Sequence, residues 1–363
     1  MMIEPMARAS RVPGEGRWQQ RTAVGPLGDG PPDKRFSNQP QDSRFDTENL
    51  GRTAVVNEPR FATERTRKYG SLAIDTLGRQ QWLDRPSYRF EHALTLVFAA
   101  FGRRRERVSN ILHGTWLGHP LHPALTAVPT GAVATALTMD AASVLPRHTA
   151  AMRDASRLAL GVGIIGSLGA AATGATDWQH THDDSRRVGI VHGLLNVVAT
   201  ALYVASWWDR RRGRHLRGMA GTALGYGLTM GSGYLGAALV YGCGVGVDRS
   251  GPRLEVDDWT PVLPLTALDG HPQRVEVDGV GVVLHRDGDN ILAVGEYCPH
   301  LGAPMSDGWV DRGRVVCPWH GSRFECQSGD VLKGPATASL PSYPTRIRDG
   351  VVEVRGSGEV DAR

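Results

Sequence analysis

The stretch that decides the fold of the second half of the chain is "EYCPHLGAPMSDGWVDRGRVVCPWHGSRFECQSG", residues 296–329. It contains two short Cys–His pairs, Cys298-x-His300 and Cys317-x-x-His320, separated by sixteen residues. Two thiolates and two imidazoles on two Gly-rich loops suit a soft metal site. The spacing alone fits either a zinc ion in a Cys2His2 site or a [2Fe–2S] cluster with mixed ligation.

The sequence on both sides of this stretch alternates with period two. "RVEVDGVGVVLHRDGDNILAVGEY" (274–297) predicts strands joined by Asp-Gly turns, and "PTRIRDGVVEVRG" (344–356) predicts a closing hairpin. We therefore expect a compact all-β domain over residues 254–357 that holds both loops on a rigid scaffold.

The two boxes "CPHLGAP" and "CPWHGSRF", followed by "GPATASLPSY", resemble the Rieske iron–sulfur domain. The resemblance implies a [2Fe–2S] cluster rather than zinc, with Cys298 and Cys317 on one iron and His300 and His320 on the other. Neutral histidines in place of thiolates raise the reduction potential above that of an all-cysteine cluster. The resemblance also places six residues around the cluster: Leu301, Trp319, Ser322, Phe324, Gly334 and Pro335.

Two departures from the quinol-oxidising type of Rieske protein indicate a ferredoxin or oxygenase type. Ala303 and Trp319 stand where that type carries a disulfide between its cluster loops, and Phe324 stands where it carries a tyrosine, whereas Ser322 matches it. We expect an intermediate or low potential within the Rieske range of about −150 to +300 mV. Cys326 and Cys243 are interpreted as small packing residues rather than ligands.

Four apolar segments of 19 to 27 residues precede the β domain, each close to the ~20 residues that span a bilayer. They are rich in Gly, Ala, Ser and Thr, as close helix contacts in lipid require. The fold class predicted is thus a membrane α-helical bundle of four transmembrane helices over residues 116–248, followed by an all-β Rieske domain. A buried soluble bundle is the alternative, which the short Arg-bearing loops disfavour. The segments are 123–145, 158–176, 188–208 and 219–245.

The region 110–245 resembles a bacterial four-helix membrane family of uncharacterised function through "HGTWLGHPLHP". In an up-down bundle several histidines gather on the membrane side from which the β domain emerges. His122 and His192 could ligate haem b from facing helices, and a metal site, a proton relay or bound quinone are further possibilities for the bundle. The competing interpretation is interfacial histidines that cap helices and bond to backbone. The candidates are His119, His122, His180 and His192.

Residues 1–70 lack periodicity and are rich in Pro, Gly, Arg, Asp and Gln, which predicts a disordered tail. Residues 71–115 predict amphipathic helices on the membrane surface. No signal peptide opens the chain, so we expect a multi-pass protein of the bacterial cytoplasmic membrane with its Rieske domain in the cytoplasm. Arginines near the spans number eight on each side and do not settle the orientation. Export directed by "DRRRGRHLRG" (209–218) is the alternative.

The function expected is single-electron transfer between redox partner proteins, with the lipid bilayer as anchor and no nucleic-acid partner. One alternative is a redox subunit of a membrane oxidoreductase complex whose helical domain binds haem b or quinone. A complete oxygenase would need a 2-His-1-carboxylate iron site after the second box, and no such triad appears there. A zinc-stabilised structural module is the remaining alternative.

Overall fold

The computed structural model describes residues 72–145 and 149–356. The predicted disordered tail, residues 1–70, lies outside the described residues. Within them the chain forms a helical part followed by a β domain, in the predicted order. The helices are α1 (Leu72–Gly78), α2 (Asp84–Ala100), α3 (Arg105–His113), α4 (Leu121–Ala142), α5 (Thr149–Trp178), α6 (Asp183–Arg211) and α7 (His215–Ala237).

The four longest helices after α3 coincide with the four predicted apolar segments. Helix α4 packs along α5, and α6 packs along α7. By length and composition, α5 and α6 are apolar enough to cross a membrane. Helices α4 and α7 are outside that set; α4 contains Asp140 and several threonines, and α7 is rich in glycine. Four helices are therefore present where expected, and membrane crossing by all four stays a prediction.

The outward faces of the bundle are covered with large aliphatic side chains. Leu158 is 72% exposed and Ile165 is 73% exposed on α5, and Leu194 and Leu224 are each 61% exposed on α6 and α7. Only 22% of the most apolar window of α5, and the same share in α6, is buried. A core helix of a soluble protein would be mostly buried, because contiguous apolar surface is costly in water. The bundle's outer surface is thus suited to contact with lipid.

A buried ion pair ties the four helices together at one end of the bundle. Arg210 donates from Nη1 and Nη2 to the two carboxylate oxygens of Asp140, at 2.5 and 2.7 Å. Ser156 donates to the same carboxylate at 2.6 Å, and Thr222 accepts from Arg210 at 2.8 Å. One residue comes from each of α4, α5, α6 and α7, so the network sets the mutual register of the four helices.

The short helices α1 to α3 pack beside the bundle, and α2 makes charged contacts to the start of α6. Arg186 pairs with Glu91, and Arg187 pairs with Asp84 at 2.7 Å. Pro86 lies in the first turn of α2, where its missing N–H costs no helical hydrogen bond. Helices α1 to α3 lie within residues 72–113, and their placement on a membrane surface stays a prediction.

The β domain contains ten short strands: β1 (Thr260–Pro264), β2 (Gln273–Val277), β3 (Val280–Asp287), β4 (Asn290–Gly295), β5 (Trp309–Asp311), β6 (Arg314–Val316), β7 (Arg323–Glu325), β8 (Val331–Lys333), β9 (Thr345–Arg348) and β10 (Val351–Val354). They form three small antiparallel sheets, with strand orders β1-β10-β9, β2-β3-β4 and β5-β6-β7-β8. The predicted Asp-Gly turns are present at Asp278–Gly279 and Asp349–Gly350, where both residues have positive φ, as type I′ hairpins require.

We expect Gly329→Ala to destabilise the β domain far more than Gly313→Ala. Both glycines have positive φ, 76° and 73°, which costs an L-residue roughly 1–2 kcal/mol. A Cβ at Gly329 would also overlap the carbonyl of Leu340, whereas a Cβ at Gly313 meets nothing within 4 Å. Thermal unfolding of the two variants separates the overlap from the backbone strain. Equal losses of stability would contradict this packing.

Candidate metal centre

The two Cys–His pairs lie on two loops with the same backbone geometry. The first loop connects β4 to β5 and the second connects β6 to β7. In the first, the Cys298 N–H donates to the Ala303 carbonyl at 2.9 Å, and the Cys298 carbonyl accepts from Gly302 at 2.8 Å. In the second, Cys317 makes the same two bonds with Ser322 and Gly321, at 2.9 and 3.1 Å.

A glycine with positive φ closes each of these turns. Gly302 has a φ of 75° and Gly321 has a φ of 67°, a conformation that residues with a side chain rarely adopt. The two pairs are therefore presented by matched, backbone-bonded turns, which explains why both boxes are rich in glycine.

The four side chains of the two pairs meet between these loops. The Cys298 and Cys317 thiols are buried and lie within hydrogen-bond reach of each other. The rings of His300 and His320 are 4.9 Å apart between centroids and perpendicular. Within the described ranges, no three His, Cys, Asp or Glu side chains converge on a single metal ion. The structure thus brings together the two thiols and the two imidazoles of the two pairs.

Protonation states support the same ligand set. Burial lowers the pKa of His300 to about 3, with His320 a smaller cause, and burial lowers the pKa of His320 to about 4. Both imidazoles are thus neutral, which is the form that binds metals. The hydrogen bond between the two thiols lowers the pKa of Cys317 to about 6 and raises that of Cys298. The positive charge of bound iron favours the second thiolate.

One unpartnered atom tests whether these residues fit the cluster that the sequence implies. The Nδ1 atom of His300 is buried and has no hydrogen-bond partner in the protein. A buried nitrogen is normally bonded, and leaving it unpaired costs free energy. The Nε2 atom of His320 is 2.9 Å from another histidine, so its Nδ1 is the ring nitrogen left for a metal. The residues present therefore fit a [2Fe–2S] cluster bound through two sulfurs and two Nδ1 atoms.

The residues predicted around the cluster lie in two environments. Ser322 and Phe324 are fully buried, and the Ser322 hydroxyl oxygen accepts from the Ala336 N–H at 3.0 Å. Gly334 and Pro335 are buried in the loop after β8, Leu301 is half-buried, and Trp319 is 56% exposed at the tip of the second loop. Phe324 has no hydroxyl, so it cannot donate the hydrogen bond that a tyrosine supplies at this position.

Cys326 packs in the core cluster that also contains Cys298 and Cys317. Burial raises the pKa of the Cys326 thiol to about 11, with Glu325 a smaller cause, so it is a protonated packing residue. The interpretation of Cys326 as a bystander agrees with this position.

Three histidines of the helical part lie close to the imidazoles of the metal centre. His182 lies after α5, and its Nε2 is 2.9 Å from Nε2 of His320, with the rings stacked 5.2 Å apart. The His180 ring centroid is 5.9 Å from that of His300 and 5.6 Å from that of His320. His113 follows, 5.3 Å from His180 between ring centroids. Burial holds the pKa of His180 well below its usual range, so it is neutral.

His113 is a site residue that the sequence analysis did not single out. Its side chain is buried, and its Nδ1 is 2.7 Å from the Asp177 carboxylate. It belongs to the quoted "HGTWLGHPLHP" motif, but nothing in the motif shows that its ring lies beneath a loop more than 200 residues away. A Cβ added to Gly334 would lie 3.2 Å from the His113 ring, so glycine permits this close approach.

Backbone and side-chain bonds fasten the metal centre to the helical part. Asn110 on α3 donates to the Leu332 carbonyl and accepts from the Gly334 N–H, both at 3.1 Å. The Arg249 N–H donates to the Pro299 carbonyl at 2.9 Å. A cavity of about 120 Å³ lies beside these contacts, and its lining includes His119, Asp177, His180, His300 and Pro335.

The four membrane-side histidines do not form one site. His180 reaches the metal centre, and His119 is exposed at the edge of the cavity. His122 on α4 and His192 on α6 face each other with ring centroids 6.3 Å apart. His122 donates from Nδ1 to the Ala170 carbonyl at 2.9 Å, and His192 donates from Nδ1 to that of Ser232 at 2.8 Å. His122 therefore bridges α4 and α5, and His192 bridges α6 and α7.

Two family profiles match the chain, one for each part. The profile described as "Rieske [2Fe-2S] domain" matches residues 258–344, and "Predicted membrane protein (DUF2231)" matches residues 118–249. The chain is similar to the anthranilate 1,2-dioxygenase ferredoxin subunit of Burkholderia cepacia, with 37% identity over 28% of this chain and 88% of that protein. It is also 32% identical to the naphthalene 1,2-dioxygenase ferredoxin component of Pseudomonas putida, over 25% of this chain and 88% of that protein.

A much longer relative is matched over a small part. Human apoptosis-inducing factor 3 is 39% identical over 89 residues, which is 24% of this chain, and the chain spans 15% of that protein's length. Among solved structures, the ferredoxin of carbazole 1,9a-dioxygenase from Nocardioides aromaticivorans matches 27% of this chain and 98% of its own, with 26% identity and a TM-score of 0.27. The chain therefore belongs to the Rieske [2Fe-2S] family, with its Rieske domain at the C-terminal side of a domain of the DUF2231 predicted membrane protein family.

Proposed function

We propose that this protein is a membrane-anchored electron carrier whose cluster is held by Cys298 and Cys317 on one iron and by His300 and His320 on the other. The observation that carries the proposal is the pair of matched loops, which bury two thiols beside the unpartnered Nδ1 of His300. When bound, a [2Fe–2S] cluster accepts and donates one electron at a time.

The chain's own residues hold this site and restrict its access. The buried thiols and the core beneath them exclude water from the sulfur side. The imidazoles face the opposite way, toward His180 and His182. Similarity to ferredoxin components supports redox partner proteins as donor and acceptor, and an electron-transfer component rather than a complete oxygenase.

We expect redox titration of the purified protein to give a one-electron wave at an intermediate or low position within about −150 to +300 mV. The reason is the missing hydroxyl at Phe324, since a donor to the cluster or its cysteine ligand stabilises the reduced, more negative state. A potential near the top of the range would contradict this assignment.

Phe324→Tyr tests the cause of that potential. A hydrogen bond to a charged group contributes ~1.5–3 kcal/mol, and 59 mV corresponds to a tenfold change in a one-electron equilibrium, so we expect a rise of roughly 65–130 mV. Phe90→Tyr, on a partly exposed ring of α2 outside the metal centre, is the control and leaves the potential unchanged. A potential that does not rise in Phe324→Tyr would show that the side chain at position 324 does not influence the reduction potential of the cluster.

Anchoring in the membrane is supported by the exposed aliphatic surface of α5, α6 and α7. Four crossings would place the two ends of the bundle on one side, with the Rieske domain in the cytoplasm of a bacterial cell. Labelling of a cysteine introduced near residue 360, in intact cells with a membrane-impermeant reagent, tests the orientation. Labelling in intact cells would support export of the domain, and labelling only after lysis would support the cytoplasmic placement.

A second candidate function is that of a complex subunit whose bundle binds haem b at His122 and His192. The observation in favour is that both rings donate from Nδ1 to a backbone carbonyl, an arrangement typical of ligating histidines. Asn196 lies 3.3 Å from Nε2 of His192, which competes with ligation. An optical spectrum of the purified protein without a Soret band would contradict haem binding, and His122 and His192 would then serve only to join neighbouring helices.

Quinone is the other ligand considered for the helical domain, and the cavity beside His119 and His180 is its candidate place. Its volume of about 120 Å³ is below the roughly 300 Å³ at which ligand pockets usually begin. Only a head group would fit there. Solvent extraction of the purified protein, followed by chromatography, tests for bound quinone.

A further inference from the structure

The histidine side of the metal centre is completed by a residue of the helical domain. His182 comes from the loop between α5 and α6, and its ring stacks on that of His320 with an interplanar angle of 18°. The two Nε2 atoms are 2.9 Å apart, which is a hydrogen-bond distance. The two residues are 138 positions apart in the chain, so this contact exists only because the two domains are docked.

The loop that carries His182 is held in place by its own hydrogen bonds. The Thr181 hydroxyl donates to the Trp178 carbonyl at 2.7 Å, and the Ser185 hydroxyl donates to the His182 carbonyl at 2.7 Å. Arg186 donates to the Thr181 carbonyl at 3.2 Å, and its guanidinium also pairs with Glu91 on α2. A side chain on so constrained a loop occupies a defined position.

The docking of the two domains is equally defined. Asn110 makes two hydrogen bonds to the loop after β8, and the Arg249 N–H bonds to Pro299 beside the first Cys–His pair. One tether comes from α3 and the other from the segment that links the helical part to the β domain. The stacked pair is therefore part of an interface with several independent attachments.

The direction of the hydrogen bond follows from which nitrogen binds the metal. Nε2 of His320 is hydrogen-bonded to His182, so Nδ1 of His320 is the atom that binds the metal. The remaining ring proton of His320 then lies on its Nε2. His320 then donates and His182 accepts. A partner that accepts the second ring proton makes a ligand imidazole more basic. A more basic ligand stabilises the oxidised, more positive iron and so lowers the potential.

We propose that His182 of the helical domain is a positioning residue for the Rieske centre. His182 accepts a hydrogen bond from His320 and thereby lowers the reduction potential of the cluster. The proposal rests on the proposed function, since it requires His320 to be a ligand. If so, the helical domain both anchors the Rieske domain and lowers the reduction potential of its cluster.

Three variants of the full-length protein, studied at one fixed pH, test the proposal. His182→Phe keeps a stacked ring but removes the acceptor, and we expect an upward shift in potential with a changed EPR line shape. His182→Gln retains a neutral acceptor, and we expect a potential close to that of the wild type. His271→Phe, on an exposed turn before β2, is the matched control and leaves both readouts unchanged.

The outcomes distinguish this proposal from the function on which it rests. A wild-type protein without a Rieske signal would overturn the proposed function. A wild-type signal with an unchanged potential in His182→Phe would overturn only the role of His182. A lowered potential in His182→Phe would also overturn it, because the hydrogen bond would then run in the opposite direction.

Discussion

Replacing Cys317 with serine should abolish the iron–sulfur centre, with iron and acid-labile sulfide falling from about two of each per chain to background. The thiolate binds iron, whereas a serine hydroxyl at neutral pH is a poor ligand for it. The site cannot compensate, because Cys317 is buried on a turn fixed by its bonds to Ser322 and Gly321. Colorimetric iron and sulfide analysis, with the visible absorption spectrum, measures the loss.

Cys326→Ser is the matched control for this prediction. Cys326 is also buried in the same core cluster, but its thiol is protonated and its backbone N–H bonds to Gly313, away from the two matched turns. We expect this variant to retain its iron and sulfide. Retention of the cluster in Cys317→Ser, or its loss in Cys326→Ser from a protein that remains folded, would contradict the ligand assignment.

Replacing Arg210 with methionine should be the most damaging single change in the helical domain, lowering its unfolding free energy by roughly 3–5 kcal/mol. The change leaves the buried carboxylate of Asp140 without its two charged donors, with only Ser156 bonded to it. An uncompensated buried charge is far more costly than the loss of an exposed pair. Thermal unfolding in a fixed detergent or lipid measures the effect.

Two further variants separate charge from packing in this network. Arg157→Met removes an exposed arginine whose partner is Asp154, and a surface pair of this kind contributes ~0–1 kcal/mol. The double variant Asp140→Leu/Arg210→Met removes both charges, and we expect it to regain much of the lost stability. A single variant Arg210→Met as stable as Arg157→Met would show that the ion pair does not hold the helices together.

The sequence predicted the β domain and its metal loops because the information there is local. Alternation with period two and the Asp-Gly pairs at 278–279 and 349–350 specify hairpins over a few residues. The matched turns after Cys298 and Cys317 depend on a glycine four residues later in each case. The four apolar segments likewise located the four long helices, since each is one continuous pattern.

The packing of the helices and the docking of the two domains depend on contacts between residues far apart in the chain, which a single sequence does not reveal. Asp140 and Arg210 are 70 positions apart and looked like ordinary polar residues near the ends of two segments. Asn110 bonds to residues 222 and 224 positions away, so its role as a tether was not predicted. Topology placed several histidines on one side of the bundle, but only docking of the two domains shows that His180 and His182 reach the metal centre.

The same limit explains why the four candidate membrane histidines were grouped too broadly. An up-down bundle brings His122 and His192 to neighbouring helices, and the structure places their rings 6.3 Å apart. It also places His119 at an exposed edge and His180 against the cluster ligands. The order of the helices along the chain predicted the end of the bundle at which these histidines lie, whereas the distances between them at that end depend on how each loop packs.

The most direct test of the central claim is the EPR spectrum of reduced membranes containing the wild-type protein, compared with membranes containing His320→Ala. The account predicts a Rieske-type signal in the wild type that is lost in the variant, because the histidine-ligated iron requires both imidazoles. Membranes with His271→Ala, changed on an exposed turn, should keep the signal. The absence of any such signal in the reduced wild type would contradict the account.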